Sequence, residues 1–203
     1  MKHRAIVPIA AFTAVGRLPE LRNALTGGLA AGLTVSEINE ILIQLYAYAG
    51  FPRSLNALGT FLALVEERRA AGITDAPGVQ PSPPAPGRSS HARGAENQTT
   101  LMGTPLTGPV FDFAPAVDEF IKAHVFGDIF GRDNLDWQSR EIATVSALAT
   151  LDGVESQLGS HVRIALNTGL TEPQLREVVT VLRDRVGEAA ADRAANALDA
   201  LPG

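Results

Sequence analysis

Apolar residues recur at helical spacing along most of the chain, and capping signals divide the pattern into helices. "WQSREIATVSALATL" (137–151) follows Asp136, an N-cap residue, and stops at Asp152-Gly153. "VESQLGSHVRIALNT" (154–168) ends at Gly169, a residue type suited to the left-handed C-terminal position. "LTEPQLREVVTVL" has Thr171 as N-cap, Pro173 in its first turn and Gln174 closing a capping box. The logic recurs near the start, where Gly32 ends one helix and Thr34-x-x-Glu37 caps "SEINEILIQLYAYAG". "PRSLNALGTFLALVEERRAAG" and "FDFAPAVDEFIKAHVFGDIF" carry further helical patterns, and no segment alternates as a strand does. The pattern predicts an all-α fold.

Displacing the sequence against itself by 137 positions aligns Arg4–Tyr46 with Glu141–Arg183 without a gap. Ten of the 43 pairs are identical, among them Thr13/Thr150, Gly16/Gly153, Gly32/Gly169, Thr34/Thr171 and Glu40/Glu177. This predicts one helical unit used twice, over residues 1–72 and 111–203. Between them, residues 73–110 read as a linker or arm, because seven of the thirteen prolines fall between Ala76 and Pro109.

Composition narrows the chemistry. The chain has 203 residues, 45% hydrophobic and 19% charged, with a net charge of −5. No basic stripe marks a nucleic-acid partner. Cysteine is absent, which excludes thiolate metal sites, disulfides and dithiol redox chemistry. The four histidines, His3, His91, His124 and His161, have no metal-ligand spacing, so no metal is expected. "GGLAAGLT" lacks the lysine and spacing of a phosphate loop. "MKHRAIVPIAAFTAVG" imitates a secretory signal but belongs to the repeat, and no apolar run reaches the roughly 18 residues of a membrane span. A cytoplasmic protein without membrane partners is the expectation.

"LTVSEINEILIQLYAYAGFPRSLNAL" and "FGDIFGRDNLDWQSREIATVSALAT" resemble the carboxymuconolactone decarboxylase family, which includes the alkylhydroperoxidase D-like proteins. "YAGFPRSLNAL" is the most specific stretch, and the resemblance covers about 160 of the 203 residues. It implies paired helical hairpins around an inner site, in a homo-oligomer, here a dimer or trimer. In the family's peroxidase branch a glutamate, a CxxC pair and a histidine form the redox centre. Glu141 and His161 match two of these, but Val154 and Gln157 stand at the cysteine positions, so a dithiol peroxidase is excluded. The first unit holds Arg4, Arg17, Glu20 and Ala24 at the four positions and has lost the pattern. The decarboxylase branch, which does without cysteine, implies cofactor-independent proton transfer on a small carboxylated lactone. Loss of CO2 beside an unsaturated lactone leaves enolate-like charge that needs a hydrogen-bonding or positive group and then a proton.

Reflection about Asp152-Gly153 sets His161 opposite residue 144, one turn from Glu141, an axial offset of about 4.5 Å. The pair can therefore meet, with His161 as general acid/base and Glu141 fixing its tautomer. The alternative pairs Glu141 with Arg140 or Arg163 at the surface and makes His161 a packing residue. Arg132 is a candidate anchor for a substrate carboxylate, and His124, four residues before Asp128, for a second acid/base or anchoring group. Tyr46, Tyr48, Phe51 and Asn56 are candidate pocket residues, whereas Trp137 is expected to pack. Two rival functions stand beside the lyase or isomerase reading: a specialised biosynthetic enzyme for cyclisation, dehydration or ring opening, and a non-catalytic helical binding or assembly protein.

Overall fold

A computed structural model describes residues 1–201, so the last two residues of the expected second unit lie outside it. Every regular element among the described residues is helical. The first half comprises α1 (Lys2–Val15), α2 (Leu18–Ala30), α3 (Val35–Gln44), the single turn α4 (Tyr46–Ala49) and α5 (Phe51–Ala70). After α6 (Ser90–Met102), α7 (Pro109–Phe113) and α8 (Pro115–Phe120), a π-helical segment runs over Ile121–Ile129. The second half continues with α9 (Trp137–Leu148), α10 (Glu155–Asn167), α11 (Glu172–Arg185) and α12 (Glu188–Asp199).

Several helix boundaries follow the displacement found in the sequence. Moved by 137, α2 spans 155–167, the bounds of α10, and the start of α3 falls on the start of α11. Thr34 and Thr171 each form a complete capping box, and Gly16, Gly32 and Gly50 share positive φ with Gly153, Gly169 and Gly187. These glycines release the chain from each helix into a left-handed turn that side chains with a Cβ enter at a cost.

Two helices occupy the centre. In α9 every residue from Ser139 to Leu148 is buried, and α1 is buried from Ile6 to Ala14 except Pro8. They lie against each other, with α2 and α11 on α1, and α10 on α9. A helix buried on all sides cannot show a one-sided apolar stripe, and α9 indeed carries Arg140, Glu141, Thr144 and Ser146 in its buried set.

Residues 73–110 hold more order than a linker. Ser90–Met102 is helical, capped by Ser89, whose hydroxyl accepts the Ala92 amide proton at 3.1 Å. No proline interrupts residues 88–104, which frees this stretch to wind. Gly94 and Gly127 let α6 and the π-helical segment meet backbone to backbone: a methyl group at Gly94 would strike the Lys122 carbonyl. A second apolar cluster of Leu101, Phe126, Ile129, Phe130 and Ile164 seals the contact.

Candidate functional site

The turn at Asp152-Gly153 folds α10 back on α9, and the two helices bring His161 and Glu141 together. His161 Nδ1 donates to Glu141 Oε2 at 2.8 Å. A carboxylate only accepts, so Nδ1 carries the hydrogen and Nε2 keeps the free lone pair. The glutamate is wholly buried and the imidazole is 12% exposed. In place of the alternative read from the sequence, Glu141 paired with Arg140 or Arg163 at the surface, the structure buries Glu141 on His161, turns Arg140 to Glu40 and Gln44, and leaves Arg163 exposed. Adjacent residues on a helix point roughly 100° apart, and Arg140 turns toward α3.

Tyr48, from α4 in the first half, completes the group. Its ring stands edge-on to His161, with centroids 5.3 Å apart and planes at 83°. Its hydroxyl is buried without a hydrogen-bond partner, as is Glu141 Oε1. Burial, and then the charge of Glu141, push the phenol above its ordinary range, so Tyr48 keeps its proton. An imidazole, a carboxylate with one free oxygen and a protonated phenol thus share one buried spot, each with hydrogen-bonding capacity that the fold leaves unused.

Beneath it lies an ionic network that the sequence did not predict. Arg140, fully buried, donates to Glu40 Oε2 at 3.1 Å, to Gln44 Oε1 at 3.2 Å and to the Arg132 carbonyl at 3.1 Å. Gln44 returns a bond to the Arg140 carbonyl at 2.9 Å. Arg132 clamps Glu40 with two bonds of 2.8 and 2.7 Å. Burial opposes ionisation of Glu40, but the bonds from Arg132 and Arg140 outweigh it and hold the carboxyl below the usual carboxylate range. The one available sequence signal was Glu40 itself, a charged residue within the apolar run "INEILIQL".

The other candidates are dispersed around this centre. Arg132 is engaged by Glu40 and lines a separate cleft of about 370 Å³ with Arg88 and Arg93. His124, in the π-helical segment, shares 3.0 Å with Asp128 and tilts over Tyr46 at 5.6 Å. Tyr46 stacks on Phe51 at 4.2 Å, and Phe51 and Asn56 are exposed. Tyr46, Phe51 and His124 therefore form a surface aromatic group, and of the four aromatic-segment candidates Tyr48 alone touches His161 in this set of ring contacts. Trp137 packs, donating from Nε1 to the Phe130 carbonyl at 2.9 Å. Among the described residues, no group of three or more histidine or acidic side chains is placed to hold a metal ion.

Comparison with known proteins covers part of the chain. The Carboxymuconolactone decarboxylase family model matches residues 115–200, a span that includes Glu141 and His161. A 4-carboxymuconolactone decarboxylase of Acinetobacter baylyi is 31% identical over 68 residues, covering 34% of this chain and 50% of that protein. The chain thus spans about half the length of the curated relative it matches. Over residues 115–200, the chain is similar to the carboxymuconolactone decarboxylase family.

Proposed function

We propose that the chain is a cofactor-independent acid/base enzyme, a decarboxylase-like lyase or an isomerase, acting on a small lactone or carboxylated ring. The observation that carries this reading is the His161–Glu141 bond of 2.8 Å beside the unpartnered Tyr48 hydroxyl. The curated relative that the chain matches is named for decarboxylation of 4-carboxymuconolactone.

The chemistry follows from the three groups. As a bound carboxylated lactone releases CO2, the electron pair of the broken C–C bond passes into the unsaturated system as enolate charge. The Tyr48 hydroxyl, kept protonated, donates a hydrogen bond to that oxygen. His161, after taking up a solvent proton on its Nε2 lone pair, delivers that proton to carbon while its Nδ1–H stays on Glu141, which holds the ring in place through the step. An isomerase uses the same parts, with His161 removing and returning one proton. Arg132 acts in this reading through Glu40 rather than on substrate, and the surface group of Tyr46, Phe51 and His124 belongs to a contact between copies in a homo-oligomer.

The test is ultraviolet-monitored turnover of 4-carboxymuconolactone. Wild type should consume it, and His161→Ala should lose about 10²-fold or more, the range for removal of a general acid/base. Equal rates in both proteins would defeat the assignment of His161. No turnover by wild type would defeat that substrate.

A further inference from the structure

The displacement of 137 that relates the helices also predicts where the image of the candidate site lies. It carries Glu141 to Arg4, His161 to Ala24, and Tyr48 to Arg185. These three residues come from α1, α2 and the end of α11, far apart in sequence, yet all line one open cavity of about 470 Å³. The cavity is therefore the counterpart of the His161 centre, built from the opposite combination of halves.

Its chemistry is inverted. Where the His161 centre places a carboxylate and a phenol, this cleft places two guanidinium groups. Arg4 gives one nitrogen to Glu177 at 2.6 Å, and Arg185 makes no ion pair among the described residues. The space comes from lost side chains. Displacement replaces His161 by Ala24, Ile164 by Gly27 and Thr168 by Ala31, and all three smaller residues line the cleft. Pro8 and Phe12 give it an apolar floor, while Glu20 and Asp184 supply acceptors on its wall. We infer that this cleft binds a small ring carboxylate, with the carboxylate on Arg185 and Arg4, the ring over Phe12 and Ala24, and a ring hydroxyl donating to Glu20 or Asp184. A volume of about 470 Å³ lies within the roughly 300–1,000 Å³ of small-molecule sites. A guanidinium left without an acidic partner is suited to a planar carboxylate.

The experiment is an equilibrium titration of the full chain with 4-hydroxybenzoate, followed by ligand-observed NMR, with thermal unfolding of each variant recorded alongside. Wild type and His161→Ala should bind alike. Arg185→Ala, a change at the surface, should weaken binding at least 10-fold, and Ala24→Leu, which refills the cleft, should remove it while the variant still unfolds cooperatively. No saturable binding by wild type overturns the inference. So does binding that survives both Arg185→Ala and Ala24→Leu, equal affinity for the uncharged 4-hydroxybenzyl alcohol, or binding lost in His161→Ala, which would place the ligand at the other centre. Because the readout is binding, the result stands apart from any turnover at His161.

Discussion

Tyr48 shows how one residue can be judged by what it costs the fold. A buried hydroxyl without a partner is unfavourable by about 1–3 kcal/mol, and Tyr48 has none. If its role were to fill space, phenylalanine would fill it as well and without that cost. Tyr48→Phe is therefore expected to unfold at the same temperature as wild type or a few degrees higher, while its turnover falls at least 10-fold. A calorimetric scan beside a rate measurement checks both, and a variant as fast as wild type removes Tyr48 from the chemistry. The Glu141–His161 contact was legible beforehand, because a tight Asp-Gly turn between two helices fixes which residues face each other. The inclusion of Tyr48 was not separable from that of Tyr46, Phe51 and Asn56. All four sit in one short stretch, and only the single-turn helix closed by Gly50, at φ 87°, decides which ring turns inward.

Between elements, the two copies of one glutamate have different fates. Glu40 ties α3 to α9 through Arg140 in the interior, whereas its displaced partner Glu177 meets Arg4 at the surface, where both side chains are about half exposed. A surface pair of this kind contributes little, but removing one member of a buried pair leaves the other charge stranded, at about 3–5 kcal/mol. Glu40→Gln should be destabilised on that scale at neutral pH. Its acid response should also flatten. The folded carboxyl titrates below its ordinary value of 4.5, so its stabilising effect is complete above the unfolded value and is lost as pH falls through the lower, folded one. Urea titrations between pH 3 and 7 should show wild type losing stability below about pH 4.5 more steeply than Glu40→Gln. Helix caps and glycines made most element boundaries readable, as the coincidence of α2 with α10 after displacement shows. The helix at Ser90–Met102 was hidden by prolines on both sides. The π-helical winding of Ile121–Ile129 lies where two backbones meet at Gly94 and Gly127, residues 33 positions apart.

For the molecule as a whole, the surface asks for a partner. Phe113 is 90% exposed, Phe120 67% and Val110 63%, and with Val117 they recur at helical spacing along α7 and α8. Phe51, Leu55 and Leu62, each 60% exposed, make a second stripe along α5. Contiguous apolar surface of this kind marks contact sites, consistent with the proposed homo-oligomer. Phe113→Asp combined with Phe120→Asp should lower the sedimentation coefficient and leave the helical circular dichroism unchanged. An unchanged coefficient would show that these stripes lie outside any contact between copies. The meeting of α1 and α9 has one more consequence. Each half lends a side chain to the other's group, Tyr48 to His161 in one direction and Arg185 to the cleft of Arg4 and Ala24 in the other, so neither survives the loss of either half. When such a pair of sites forms between two identical chains, every inherited change strikes both at once. Here separate codons specify them, so a change at Ala24 leaves His161 as it was, and selection can refit one site without touching the other.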